Sequence, residues 1–385
     1  MNKIDDSFKK KIDLATQYQN NKKFKEAKNI YIEILKEHPN NSMVRNNLGV
    51  IFKELEEFDK AKNHLIAATE INPNNFEALN NLGVIFQILN NHQEAVNCFN
   101  KAIEIKPNYA DAYFNLAGTF RFLGEEEKEI NYYEKVIKID PNHTDAYYHL
   151  GQIFQALENH QKAKSYYEKT IEINPNFFKA YYNLGLIFYD QNDYKKARIY
   201  YEKAIEIRPN FINAHNSLAR TYQILGEPQK AKNCYKKAIE IFPDYGVAHH
   251  DLGRIHSSLK EYHDAINSFE KAIKINQNFM EAHYNLGLVF FLQKEYQKAV
   301  SSFEKAIEIN PNHLAVYNNL GTAFQILGEH QKAKKCFEKA IELDPGMSEL
   351  YNNLGAVLQI LGEHQKAKKC FAKATELNLS PPRTK

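Results

Sequence analysis

Apolar residues along this chain fall on two alternating helical stripes. In residues 76–109, Leu79, Leu82, Gly83 and Phe86 stand at i, i+3, i+4 and i+7, which predicts one helix. Ala95, Phe99, Ala102 and Ile103 stand at i, i+4, i+7 and i+8, which predicts a second. Between them Asn90-Asn91 supplies a residue that tolerates positive φ at a helix end, a place taken elsewhere by Gly124, Gly226, Gly328 and Gly362. Pro107 closes the second helix, because it has no N–H and disfavours helical geometry in the residue before it.

The two-stripe block recurs without a break. Leu followed by Gly or Ala stands at Leu14-Ala15, Leu48-Gly49, Leu82-Gly83 and onward to Leu354-Gly355, always 34 residues apart. With that Gly or Ala at unit position 8, residues 1–7 are a lead-in and residues 382–385 a tail. Between them lie eleven units: 8–41, 42–75, 76–109, 110–143, 144–177, 178–211, 212–245, 246–279, 280–313, 314–347 and 348–381. Nine units carry proline at position 32, the departures being Gln277 and Leu379. Small residues at positions 8 and 20 (Ala61, Ala95, Ala163, Ala197) let two helix backbones approach, and a large residue at position 24 (Tyr133, Tyr201, Phe303) fills the space beside the next unit. Two helices alone cannot bury both stripes, so the units must stack.

This order of small, large and terminal proline positions resembles the tetratricopeptide repeat, and the resemblance covers 374 of 385 residues. It implies an all-α fold, a right-handed superhelical solenoid of antiparallel helix pairs whose first helices line a concave groove. Eleven units at about 10 Å each predict an array on the order of 100 Å long.

Composition narrows the chemistry. Fifty Lys plus Arg against 47 Asp plus Glu leave a net charge of +3, without the clustered basic face that a nucleic-acid binder needs. The longest apolar stretches, such as Leu286 to Leu292, are far short of the roughly 18 residues that span a bilayer. The amino terminus has no apolar signal core, and four cysteines are no disulfide framework, so a cytoplasmic protein is expected. Phosphate-loop, dinucleotide, zinc-protease and serine-elbow motifs are missing, and eleven residues outside the units cannot form a catalytic domain. The expectation is a protein that is not an enzyme, with no cofactor and no metal.

Cys98, Cys234, Cys336 and Cys370 share position 23, which reads as tolerant and semi-exposed. His215, His249 and His283 share position 4, with His250, Asp251 and His256 nearby. A metal or pH-sensing cluster is conceivable there, yet Tyr113, Tyr147, Tyr181, Tyr317 and Tyr351 hold the same position elsewhere, so flat-ring packing is the reading adopted. His92, His160, His330 and His364 lie in turns and are expected in solvent.

The candidate binding positions face away from the packing stripe of the first helix. Position 6 is asparagine in seven units: Asn47, Asn81, Asn115, Asn183, Asn285, Asn319 and Asn353. An amide offers donors and an acceptor, so such a row suits the backbone of an extended peptide. These seven residues match the asparagine ladder in the repeat region of the O-linked N-acetylglucosamine transferases, which the array resembles without their catalytic domain. Where the row breaks, at His149, Ser217 and Asp251, Phe114, Tyr148 and Tyr182 form an aromatic wall with Phe122 and Tyr189, followed by Arg220 and Arg254. Such a pairing suits a ligand with an apolar anchor and an acidic group. Position 5 is never lysine and position 9 never asparagine, which excludes the carboxylate clamp of chaperone-binding relatives.

The sequence therefore points to a scaffold that binds a protein or extended peptide, with no nucleic acid and no membrane insertion. Two other roles fit the same residues. One is assembly into a homo-oligomer through the array ends, using Phe371 and Leu377 beside Thr375. The other is a substrate-recruiting arm whose catalytic domain lies outside this chain.

Overall fold

The computed structural model describes residues 3–379. Among them lie 22 α-helices and no strand, so the chain is an all-α solenoid of helix pairs. The tail 382–385 lies outside the described residues, and the first helix, Lys3–Asn20, already begins within the lead-in. In unit 3 the pair is Phe76–Ile88 and His92–Ile105. Among the described residues no helix is long and apolar enough to cross a membrane.

The local rules act as the sequence requires. Residue 15 of every unit takes positive φ: Gly124, Gly226, Gly328 and Gly362, and also Lys22, Glu56, Asn90, Glu158, Asn192, Lys260 and Lys294. The left-handed residue reverses the chain in three residues, and seven non-glycine side chains accept its steric cost. At the other end, the N–H of Lys106 bonds back to Ala102 before Pro107 stops the helix. The Asn75 side chain accepts from the Ala78 N–H and opens the next first helix.

Position 24 is the centre of each unit. Tyr31, Phe99, Tyr133, Tyr167, Tyr201, Tyr235, Phe269, Phe303 and Phe337 are all fully buried there. The ring lies on its own unit's position 8, since a Cβ on Gly287 would stand 2.6 Å from Phe303 and one on Gly151 2.5 Å from Tyr167. It also reaches the following unit, where Tyr133 stacks on His149 at 5.2 Å. The small residue therefore serves ring packing within its unit as well as helix approach.

The chain divides into two compact units, residues 1–180 and 181–385. Within the first, the first helices of units 2, 3 and 4 touch one another in series; within the second, those of units 8 to 11 do. Units 2 to 4 and units 8 to 11 thus each present a continuous layer of first helices. In the last helix, His364–Leu379, Phe371 and Leu377 are half-buried and Thr375 is exposed, its Oγ1 donating to the Phe371 carbonyl.

Candidate functional site

The asparagine row is built into the joints between repeats. All seven position-6 asparagines are half-buried. Asn81 Nδ2 donates to Asn46 Oδ1 at 2.9 Å and Asn115 Nδ2 to Asn80 Oδ1 at 3.0 Å. In the second half Asn319 Nδ2 donates to the Tyr284 hydroxyl at 3.0 Å and Asn353 Nδ2 to Asn318 Oδ1 at 3.0 Å. Each acceptor is position 5 of the preceding unit. Asn47 reaches instead the Tyr31 hydroxyl, at 3.1 Å. The amide N–H is thereby consumed, while Oδ1 of Asn81, Asn115, Asn285, Asn319 and Asn353 accepts no hydrogen bond among the described residues. What the row offers a ligand is acceptors.

Unit 8 keeps this geometry with different chemistry. His250 and Asp251 replace the two asparagines, with His250 Nδ1 3.0 Å from Asp251 Oδ1 and His250 Nε2 2.9 Å from Asn285 Nδ2. In the neutral ring the carboxylate places the proton on Nδ1, so Nε2 accepts from Asn285, which orients that amide. The Tyr235 hydroxyl, with one proton to give, lies 2.9 Å from Gln223 Oε1 and 3.4 Å from Asp251 Oδ2, and Arg254 stands 3.7 Å from Asp251. Burial and the Asp251 charge push the Tyr235 hydroxyl well above the ordinary phenol range.

The rings of the expected aromatic wall are wedges. Tyr148 is buried between Tyr167 and Phe177, and Tyr182 packs between Tyr201 and Phe211. Phe114 lies likewise between Tyr133 and His143. Phe122, by contrast, is 72% exposed and stacks on His92 of the preceding unit. Arg220 and Arg254 are exposed.

The other singled-out residues divide by environment. His215, His249 and His283 approach the carbonyls of Pro209, Pro243 and Gln277 through Nε2, at 2.7, 2.9 and 3.1 Å. A carbonyl only accepts, so each ring donates and ties the start of a first helix to the end of the helix before it. Cys98 and Cys336 are buried rather than semi-exposed, and Cys234 and Cys370 half-buried. Burial pushes the Cys98 and Cys234 thiols up to about 11 and that of Cys336 to about 12, which leaves them weak nucleophiles. Of the turn histidines only His364 is exposed; His92, His160 and His330 are half-buried, because each opens a helix that packs against its neighbour.

Phe122 is one of a set. Position 13 exposes Ile88, Phe122, Ile224, Leu292, Ile326 and Ile360, each at 41% or more. These residues lie off the i, i+3, i+4, i+7 stripe, a displacement legible in the sequence, where only Phe122 of the six stands out.

Sequence models described as tetratricopeptide repeat match residues 20–82, 76–109, 110–143, 144–177, 178–211, 211–278, 279–345 and 336–369. Among solved structures, the C-terminal part of a TPR repeat-containing protein from Cytophaga hutchinsonii superposes with a TM-score of 0.53 at 18% identity, over 62% of this chain and 98% of its own. MamA matches at 29% identity and a TM-score of 0.41, over 42% of this chain and 94% of its own. YrrB, described as a TPR protein with an unusual peptide-binding site, matches at 24% identity and a TM-score of 0.42, over 46% and 92%. No curated protein matches.

Proposed function

Because the chain belongs to the tetratricopeptide repeat family, we propose that it is a non-enzymatic protein-interaction scaffold that lays an extended peptide along its first-helix face. The observation that carries this reading is the open Oδ1 acceptors, those of Asn81 and Asn115 in units 3 and 4 and those of Asn285, Asn319 and Asn353 in units 9 to 11. An extended peptide presents backbone N–H groups regardless of its sequence, so the acceptors give grip without readout. Exposed Phe122 supplies an apolar contact, and Arg220 and Arg254 select acidic side chains. Tyr148 and Tyr182 hold the face in shape, and Asn47 and Asn183 lie on the same face at position 6.

Two sets of variants separate grip from scaffold, read against a peptide selected from a displayed library. Asn81→Ala with Asn115→Ala removes both the acceptors and the joints. Asn46→Ala with Asn80→Ala removes the same joints and leaves the acceptors. The expected result is an equal loss of melting temperature in both, with affinity lost only in the first. Equal affinity in the two sets overturns the reading.

A further inference from the structure

The turn between the two helices of each unit carries a repeated corner. Position 19 is lysine in eight units. In seven of these its ammonium lies over the position-11 ring, 4.6–5.6 Å from the centroid. In seven it also bonds the position-16 acid. The exceptions lack the partner, with Leu358 at position 11 of unit 11 and Asn159 at position 16 of unit 5. Aromatic ring, carboxylate and ammonium therefore form one set.

Units 1 and 3 alter positions 16 and 19 (Lys23 and Glu26, Asn91 and Glu94) but keep the ring, and unit 8 alone puts an imidazole in its place. Position 11 is His256 and position 19 is Asp264, while position 16 remains Glu261. His256 Nδ1 contacts Glu261 Oε2 and lies 4.0 Å from Asp264 Oδ2, and one donor atom from each residue falls within 4.8 Å of the others. The His256 side chain is 6% exposed and that of Asp264 60%, so the cluster is anchored at one end and open to water at the other. Lys232, from the second helix of unit 7, stands 2.8 Å from Glu261. In unit 11 the equivalent Glu363 meets two ammoniums, Lys334 and Lys366. In unit 8 the second ammonium is exchanged for a carboxylate and the ring for an imidazole. The corner has lost a cation and gained two metal-ligating groups.

We propose that this corner binds a divalent transition metal of the zinc type through His256 Nδ1, Glu261 and Asp264, with water completing the set. One imidazole nitrogen and two carboxylates suit zinc better than calcium or magnesium, which favour all-oxygen sites. Tetrahedral zinc with ligands at about 2.0–2.2 Å places its donor atoms roughly 3.3 Å apart. The contact to Glu261 opens slightly to reach that spacing, and the exposed Asp264 side chain swings in.

The repeats themselves supply the control residues. Phenylalanine stands at position 11 and lysine at position 19 in several other units, so His256→Phe and Asp264→Lys are substitutions that this fold already carries. Zinc(II) is titrated by calorimetry into the chelator-stripped full chain at about pH 7.5, where imidazole is deprotonated. The wild type is expected to take up one zinc per chain. Each variant is expected to lose at least about tenfold in affinity, with no lower melting temperature in the absence of metal. If a single variant melts early, the double variant decides, since it restores the complete corner of units 9 and 10. Zinc bound at wild-type affinity by the double variant overturns the proposal, because the metal is then held elsewhere. A wild type that takes up no zinc overturns it too.

Discussion

At the scale of the residue, the strongest departure from the repeat is Glu129. Position 20 is alanine in the ten other units, yet Glu129 occupies it and is only 6% exposed. Its Oε1 lacks a hydrogen-bond partner among the described residues. Burial pushes its carboxyl above the ordinary range, opposed by Arg121 and reinforced by Glu126. A carboxyl with a raised folded pKa holds its proton more tightly when folded, so stability falls as pH rises from about 4.3 through the folded value. Glu129→Ala is expected to gain about 1–3 kcal/mol at neutral pH, and to flatten the melting temperature across that window. Thermal melts of wild type and variant between acid and neutral pH check both; an unchanged slope would place the pH dependence on other groups.

At the scale of the element, the turn sets how each helix pair is joined. Lys260 holds φ at 62°, where a side chain costs about 1 kcal/mol or more, while Gly226 holds the equivalent 75° at no such cost. Lys260→Gly is expected to stabilise the protein by roughly 0.5–1 kcal/mol, and Gly226→Val to destabilise it by more than that. Both are read from denaturant midpoints. Open space around Gly226 makes backbone strain the cause, since nothing lies within 4 Å of a Cβ there. If Gly226→Val is neutral, the turn relaxes to another geometry and the left-handed residue is dispensable.

At the scale of the whole molecule, stability resides in the joints between repeats. The position-24 ring, the position-6 amide and an ion pair such as Lys334–Glu363 at 2.8 Å each tie a unit to its neighbour. Contacts of this kind make stability a sum over nearest neighbours. Gly287→Val would force a branched side chain into Phe303, at a cost of about 1–3 kcal/mol or more. Amide hydrogen exchange is expected to quicken in units 8 to 10 and to remain at wild-type rates in units 2 and 3. Uniform quickening along the chain would mean that the repeats unfold as one.

The period, the two helices of each unit, their stops and their buried stripe follow from the sequence, because they depend on residues three, four or seven apart and on where glycine and proline fall. Asn90 and Gly124 mark their turns for the same local reason. Only the tertiary structure decided how side chains are shared between units. Asn81 and Asn46 are 35 residues apart, and their pairing arises from the way one helix pair settles on the next. That settling spends the amide donors of the row and leaves its acceptors, a division that composition at position 6 cannot express. It also buries Tyr148, which the pattern leaves facing the ligand, and sets Lys232 of unit 7 beside Glu261 of unit 8. Local spacing sets the helices; the chemistry of their surfaces is fixed when neighbouring repeats close over one another and each polar atom must find a partner or remain open.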